Sequence, residues 1–205
     1  KGKAIFAGMQ GSAPYSFVSS ILREGGLDPE KDVTFVNMDY GASMAALENG
    51  QIQGSYINVD NRVEVSQMDV NILVDTVRPE DAEKYLKSEV FPSEIICTTE
   101  KFAEENPETV QAFVNAVSKA TEWMDEHSGE EIAEVLAPYY EGTEQSVLAE
   151  KMDILKESIT QTGYIGEEEE MAVEEFCMGN GVITEQIPYE DIVDMTFVNN
   201  YQEAD

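Results

Sequence analysis

The chain is poor in the residues that carry most catalytic and metal chemistry. Its 205 residues include one histidine, two cysteines and one tryptophan. A serine or cysteine nucleophile served by an imidazole would have to use His127. A zinc site wants several His or Cys ligands at close spacing, and the sequence has no such cluster. His127 falls near the end of a predicted helix, before Ser128 and Gly129. An imidazole there suits the negative helix end, so its expected role is structural. Cys97 and Cys177 are too few for a disulfide scaffold. They can pair or stay free, and their neighbours Ile96 and Phe176 favour buried structural thiols. Trp123 is expected in a helix packing face.

Positive charge is also scarce. Lys plus Arg number 12 against 42 Asp plus Glu, a formal net charge of −30. Such a chain repels phosphate backbones and anionic membrane surfaces, which argues against nucleic-acid or lipid-surface partners. No apolar run approaches transmembrane length; the longest are of the Ile95-Ile96-Cys97 kind. The carboxylates show no calcium-loop spacing, because Asn58-Val59-Asp60-Asn61 lacks both the glycine and the final glutamate. The residues indicate no metal and no cofactor; acid–base chemistry by a pair of carboxylates stays open, with little weight because 42 acidic residues make chance pairs abundant. The acidic face reads as a solvated surface that keeps a secreted protein soluble.

What is present is an α/β pattern followed by helices. Ala4 to Ala7, Val33 to Met38, Gly54 to Val59 and Val70 to Val74 read as short buried strands. Between them lie helical runs: one opened by Pro14 and stopped at Gly25-Gly26, one around Met44 to Leu47, and one over Val63 to Met68. This alternation implies a parallel sheet with right-handed crossovers. Arg78 to Lys87 reads as a polar linker, and Ser93 to Thr98 as a further strand. Asn106-Pro107 then looks like a capped helix start, with apolar spacing maintained to His127. Helices around Ile132 to Tyr139, Leu148 to Ile159 and Met171 to Phe176 follow, and a last one after Pro188.

In open α/β sheets, ligands sit beyond the carboxyl ends of the strands. Three loops occupy that position. Gly8 to Pro14 joins a strand to a helix and places Gln10, Gly11, Ser12 and Tyr15 at a helix N-terminus. It is either an anion cradle or a glycine turn with a serine cap, and it lacks the Gly-Lys-Ser/Thr ending of a nucleotide loop. The second loop carries Asp39 and Tyr40, the third Tyr56, Asn58 and Asp60. Aromatic and amide side chains there can converge on one small ligand. Asp39 and Asp60 can also be simple helix caps.

The residues together resemble a known family. Lys1-Gly2-Lys3-Ala4-Ile5, Gln10-Gly11-Ser12 with Pro14, and Gly26-Leu27-Asp28-Pro29 before Asp32-Val33-Thr34 are similar to segments of the solute-binding proteins of ABC importers, of the nitrate/sulfonate/taurine and thiamine-precursor type. So are Ala42 to Gly54, Glu105 to Phe113 with Ala116, Ala120 and Trp123, and Ile187 to Val193. Gln53-Gly54 departs from the family's usual Asp-Ala. The resemblance implies a type II periplasmic-binding-protein-like fold, two lobes joined by two crossovers, of which this chain is part. Residues 1–87 would be the second, ligand-binding lobe, 88–99 the return crossover strand, and 100–205 a helical segment completing a first lobe that begins upstream.

The function so implied is non-catalytic. An extracytoplasmic protein, periplasmic or a cell-surface lipoprotein, would capture a small anionic or zwitterionic organic solute by lobe closure and deliver it to a membrane permease. Gln10, Gly11 and Ser12 would donate to the solute's anionic group, Tyr40, Tyr56 and Asn58 would shape the site, and Asp39 or Asp60 would meet an amine. The alternative is an effector-binding domain of a cytosolic transcriptional regulator with the same architecture. A pyrimidine synthase on the same scaffold would want clustered histidines, and a pure interaction module would bind no solute. Val110, Phe113, Leu148 and Leu155 are expected to be exposed apolar positions, favouring a homo-oligomer or domain-swapped dimer.

Overall fold

The computed structural model describes residues 1–160 and 162–202, without the side chains of residues 59, 60 and 202. It divides into two compact units, Lys1–Lys87 with Glu175–Glu185, and Ser88–Glu174 with Gln186–Asp205.

The first unit is built on a three-stranded parallel sheet. Strands β1 (Lys3–Phe6), β2 (Val33–Val36) and β3 (Gly54–Ser55) take the order β2-β1-β3. Helices α1 (Ala13–Glu24), α2 (Tyr40–Glu48) and α3 (Val59–Ser66) follow the strands in turn, and α4 (Pro79–Leu86) comes after. Phe6, Ala46 and Ile52 form the buried centre, with Ala4, Val36, Met38, Tyr40 and Leu47 packed around it. The last residue of the central strand thus anchors both the core and the sheet's carboxyl edge.

Several expected strands are shorter or absent. β2 stops at Val36 and β3 holds two residues, so backbone pairing ends before Met38 and Val59. Residues 70–74 and 93–98 carry no strand. An apolar run becomes a strand only beside a partner edge, and β3 offers two residues of ladder. Without that pairing Leu73, Ile95 and Ile96 stay exposed. The Arg78–Lys87 segment is a helix, not a linker. Pro79 sits in its first turn with Glu80 and Asp81, Ala82 and Leu86 are buried one turn apart, and Lys87 closes it at φ 62°. Asp75 is buried before this helix, and its carboxylate takes both Arg62 guanidinium nitrogens at 2.8 and 2.6 Å.

The second unit is helical: α5 (Glu100–Glu105), α6 (Pro107–Glu126), α7 (Gly129–Leu136), α8 (Gln145–Ser158), α10 (Tyr189–Ile192) and α11 (Thr196–Gln202), with α9 (Glu167–Gly179) beginning in it. α5 was not legible as a separate element. Asn106 joins it to α6, but its side chain makes no cap; the amide donates back to the Phe102 carbonyl at 3.2 Å. α7 and α8 pack through Ile132, Ala133, Leu148, Ala149 and Met152. Leu148 is therefore core, not surface, because α7 covers it; Phe113 does remain exposed. α11 lies on α6, where Tyr201 donates to Glu122 at 2.6 Å and Gln111 donates to the Phe197 carbonyl at 2.8 Å.

His127 ends α6, as its position suggested. Its Nδ1 lies 2.6 Å from the Trp123 carbonyl, and its ring stacks on Trp123 at 4.1 Å. Lys156 donates to the Asp125 carbonyl at 3.2 Å and to the His127 carbonyl, serving the helix's orphan acceptors. Trp123 itself is exposed rather than core, with the imidazole stacked on its ring. Cys97 is exposed rather than buried, because its segment makes no strand, and it is outside any disulfide; Cys177 is half-buried.

Two buried carboxylates face the same side of α9. Glu170 and Glu174 are 9 % and 6 % exposed, and Glu174 accepts the Ile187 N–H at 2.6 Å. Burial, and then the charge of Glu174, holds the Glu170 carboxyl above the usual range. A raised folded-state value contributes stability below the unfolded value and loses it as pH rises through the folded one. Ionised Glu170 therefore opposes folding at neutral pH. Glu170→Gln should raise the melting temperature at pH 7, with the gain shrinking toward pH 4; an unchanged or lower value at pH 7 would refute this.

Candidate functional site

The parallel sheet dictates where a ligand site can form: at its carboxyl edge, where three loops leave the strands. The first loop runs from Ala7 to Ser12. Gly8 and Gly11 have φ of +72° and +86°, so the chain turns through conformations that other residues resist. Ser12 caps α1 and its Oγ accepts the Tyr15 N–H at 3.4 Å. Pro14 brings no N–H, and the Ser16 N–H already serves the Ser12 carbonyl. The first turn of α1 is left with the Ala13 N–H and the Ser12 hydroxyl proton to offer.

The second loop ends at Asp39 and Tyr40. Asp39 has capping backbone geometry but its side chain makes no cap hydrogen bond, and the residue is exposed. Tyr40 turns inward. Its ring meets Phe6 edge-on at 5.1 Å and Tyr56, from the third loop, at 6.4 Å and 71°. Phe17 of α1 meets Tyr56 at 6.3 Å. Beneath these rings Ser43, wholly buried, donates to the Tyr40 carbonyl at 2.7 Å and lies 3.4 Å from the Ser55 hydroxyl. Ser55 in turn donates to the Tyr56 carbonyl at 2.9 Å. Two serines thus tie together the backbones that carry the two tyrosines.

The first two loops meet at Gly8. A Cβ on that residue would lie 3.2 Å from both the Ser12 Oγ and the Tyr40 hydroxyl. Ser12, Tyr40 and Tyr56 therefore belong to one cluster. Gln10 and Gly11 are exposed on the first loop. Tyr15 packs its ring on Phe35 at 4.6 Å. Asn58 caps α3 by accepting the Asn61 N–H at 3.2 Å. The side chain of Asp60 lies outside the described residues.

A family model described as NMT1/THI5 like matches residues 1–131, well over half the chain and all three of these loops. The chain belongs to the NMT1/THI5-like family. A curated relative from Bacillus subtilis (strain 168), named "Putative binding protein YtlA", is 21 % identical over 198 residues, which is 94 % of this chain and 57 % of that protein. A solved structure of a protein from Bordetella bronchiseptica RB50 has the same fold, with a TM-score of 0.72 at 22 % identity over 100 % of this chain and 65 % of that one. The chain thus spans less than two thirds of either protein. The mixed α/β architecture, a small parallel sheet with many helices, is consistent with a periplasmic-binding-protein-like fold.

Within this member of the family, sequence reasoning missed Gly8, Ser43 and Ser55. Gly8 carried a signal, a glycine directly after a buried strand. The two serines carried none, because their link spans separate elements and is set by tertiary packing.

Proposed function

We propose that the chain forms the solute-contacting part of an extracytoplasmic binding protein, which captures a small organic zwitterion or anion and passes it to a membrane importer. The observation that carries this is the convergence of Ser12 and Tyr40 on Gly8, with Tyr56 against the Tyr40 ring, at the carboxyl edge of the parallel sheet. Hydroxyls and ring edges there suit a molecule of a few heavy atoms. Two lobes closing about a hinge would complete its enclosure and present the closed form to the permease.

The test is a thermal-shift panel on the full-length protein, holding sulfonates, nitrate, taurine, pyrimidine precursors and aromatic carboxylates. A ligand at one hundred times its dissociation constant stabilises by about 2.7 kcal/mol. Gly8→Ala should abolish the shift, since its methyl group would enter the gap between Ser12 and Tyr40. No shift across the panel with folded protein would count against a solute receptor. A shift that Gly8→Ala leaves intact would move the site elsewhere.

A further inference from the structure

The three strand-end loops contain no lysine or arginine: neither residues 7–12, nor 37–40, nor 56–58 has one. Arg62, one turn into α3, is committed to Asp75 by two short hydrogen bonds, and Arg78 stands 3.5 Å from the same carboxylate. The first turn of α1 adds little, because Pro14 has no N–H and Ser12 already engages Tyr15 and Ser16. A purely anionic solute would leave water here without a full positive charge to meet it.

The cluster offers the opposite chemistry. Asp39 is exposed; its backbone carbonyl accepts the Ser43 N–H of α2 at 2.9 Å, while its carboxylate makes no cap hydrogen bond to α2 and has no partner among the described residues. The neighbouring residue, Tyr40, brings its ring against Tyr56. Its hydroxyl has no protein partner among the described residues and borders Gly8. Aromatic faces carry negative potential and attract cations, the more so when both are withdrawn from water. We propose that the solute carries an ammonium group, held by the Asp39 carboxylate and the faces of Tyr40 and Tyr56. This rests on the solute-binding reading of the same edge.

The test uses matched pairs that differ in the cation, measured by isothermal titration on the full-length protein. Choline is compared with dimethylbutanol, its uncharged carbon isostere, and taurine with isethionate, which keeps the sulfonate and replaces the amine by a hydroxyl. A hit from the wider solute panel is paired with its own deaminated analogue and scored in the same way. The ammonium member should bind at least about ten-fold more tightly, and Asp39→Asn should remove most of that preference. Asparagine caps helices as well as aspartate does, so α2 is expected to survive the change. Equal or tighter binding of the member without the amine overturns the proposal while leaving a solute receptor in place. An amine preference undiminished in Asp39→Asn overturns the role of the carboxylate and with it the proposal. Binding of nothing in either panel removes the solute-binding reading, and the ammonium proposal falls with it.

Discussion

Gly129→Ala is expected to destabilise the second unit by about 3 kcal/mol, near the upper end for overpacking. Gly129 opens α7, is buried, and donates its N–H to the Asp153 carboxylate of α8 at 2.9 Å. An added Cβ would lie 2.3 Å from the Ala149 carbonyl oxygen and 2.5 Å from Asp153 Oδ1. Neither helix can yield cheaply. Ser128 and Glu131 fix the start of α7 in a reciprocal cap, and Ile132 and Leu148 interlock a turn further on. Truncating Asp153 would relieve the side-chain clash alone, because the other obstacle is backbone. The melting temperature should fall by roughly 6–12 °C for a chain of this size. Gly179→Ala is the control: a Cβ there meets nothing within 4 Å, and the helix-end position should tolerate or gain from alanine. A fall of similar size at both positions would show that packing between α7 and α8 is not the cause.

This helical pair also shows what the sequence made legible. Apolar residues at helical spacing placed α1, α6, α8 and α9 well, since a helix closes its hydrogen bonds within its own segment and needs no distant partner to declare itself. The spacing of Ile132 and Leu136, and of Leu148, Met152 and Leu155, is that of two faces made for each other. It does not say which face meets which; Leu148 was expected at the surface, as part of a face meant for a first lobe's sheet, and α7 covers it instead. Strands failed for the reason that helices succeeded. Val70 to Val74 and Ser93 to Thr98 have strand composition, but a ladder needs a neighbour, and composition does not supply one. α4 was missed although Pro79 and the Ala82–Leu86 pair were in view, because the charged residues between them read as linker.

The loops of the candidate site were legible, and the contacts that their side chains make only in part. The strand-end rule selected the loops that carry Ser12, Tyr40 and Tyr56, and these do meet. Tyr15 follows Ser12 by three residues but turns its ring to Phe35. Arg62, one turn into α3, is held by the Asp75 carboxylate. A buried ion pair joining residues 13 positions apart leaves no local pattern.

Phe6→Ala should cost the first unit about 3–5 kcal/mol, the range for a deleted core aromatic, and lower its melting temperature by roughly 6–20 °C. Phe6 is wholly buried, and its backbone is paired on both sides, with Val36 and with Ser55. Its carbonyl also accepts the Tyr56 N–H at 2.8 Å. The ring fills the space against Ala46 and Ile52, and its neighbour Tyr40 stands edge-on to it at 90°. The lost volume therefore opens directly beneath Tyr40, and solute affinity should fall with stability. Phe6→Leu separates the two effects. It keeps most of the volume, so its stability cost should be nearer 1 kcal/mol. It removes the ring that sets the orientation of Tyr40, so affinity should still drop several-fold. If Phe6→Leu binds solute as well as the parent chain, the edge-on contact does not orient Tyr40. If Phe6→Ala melts within 2 °C of the parent, the core of this unit does not rest on the end of β1.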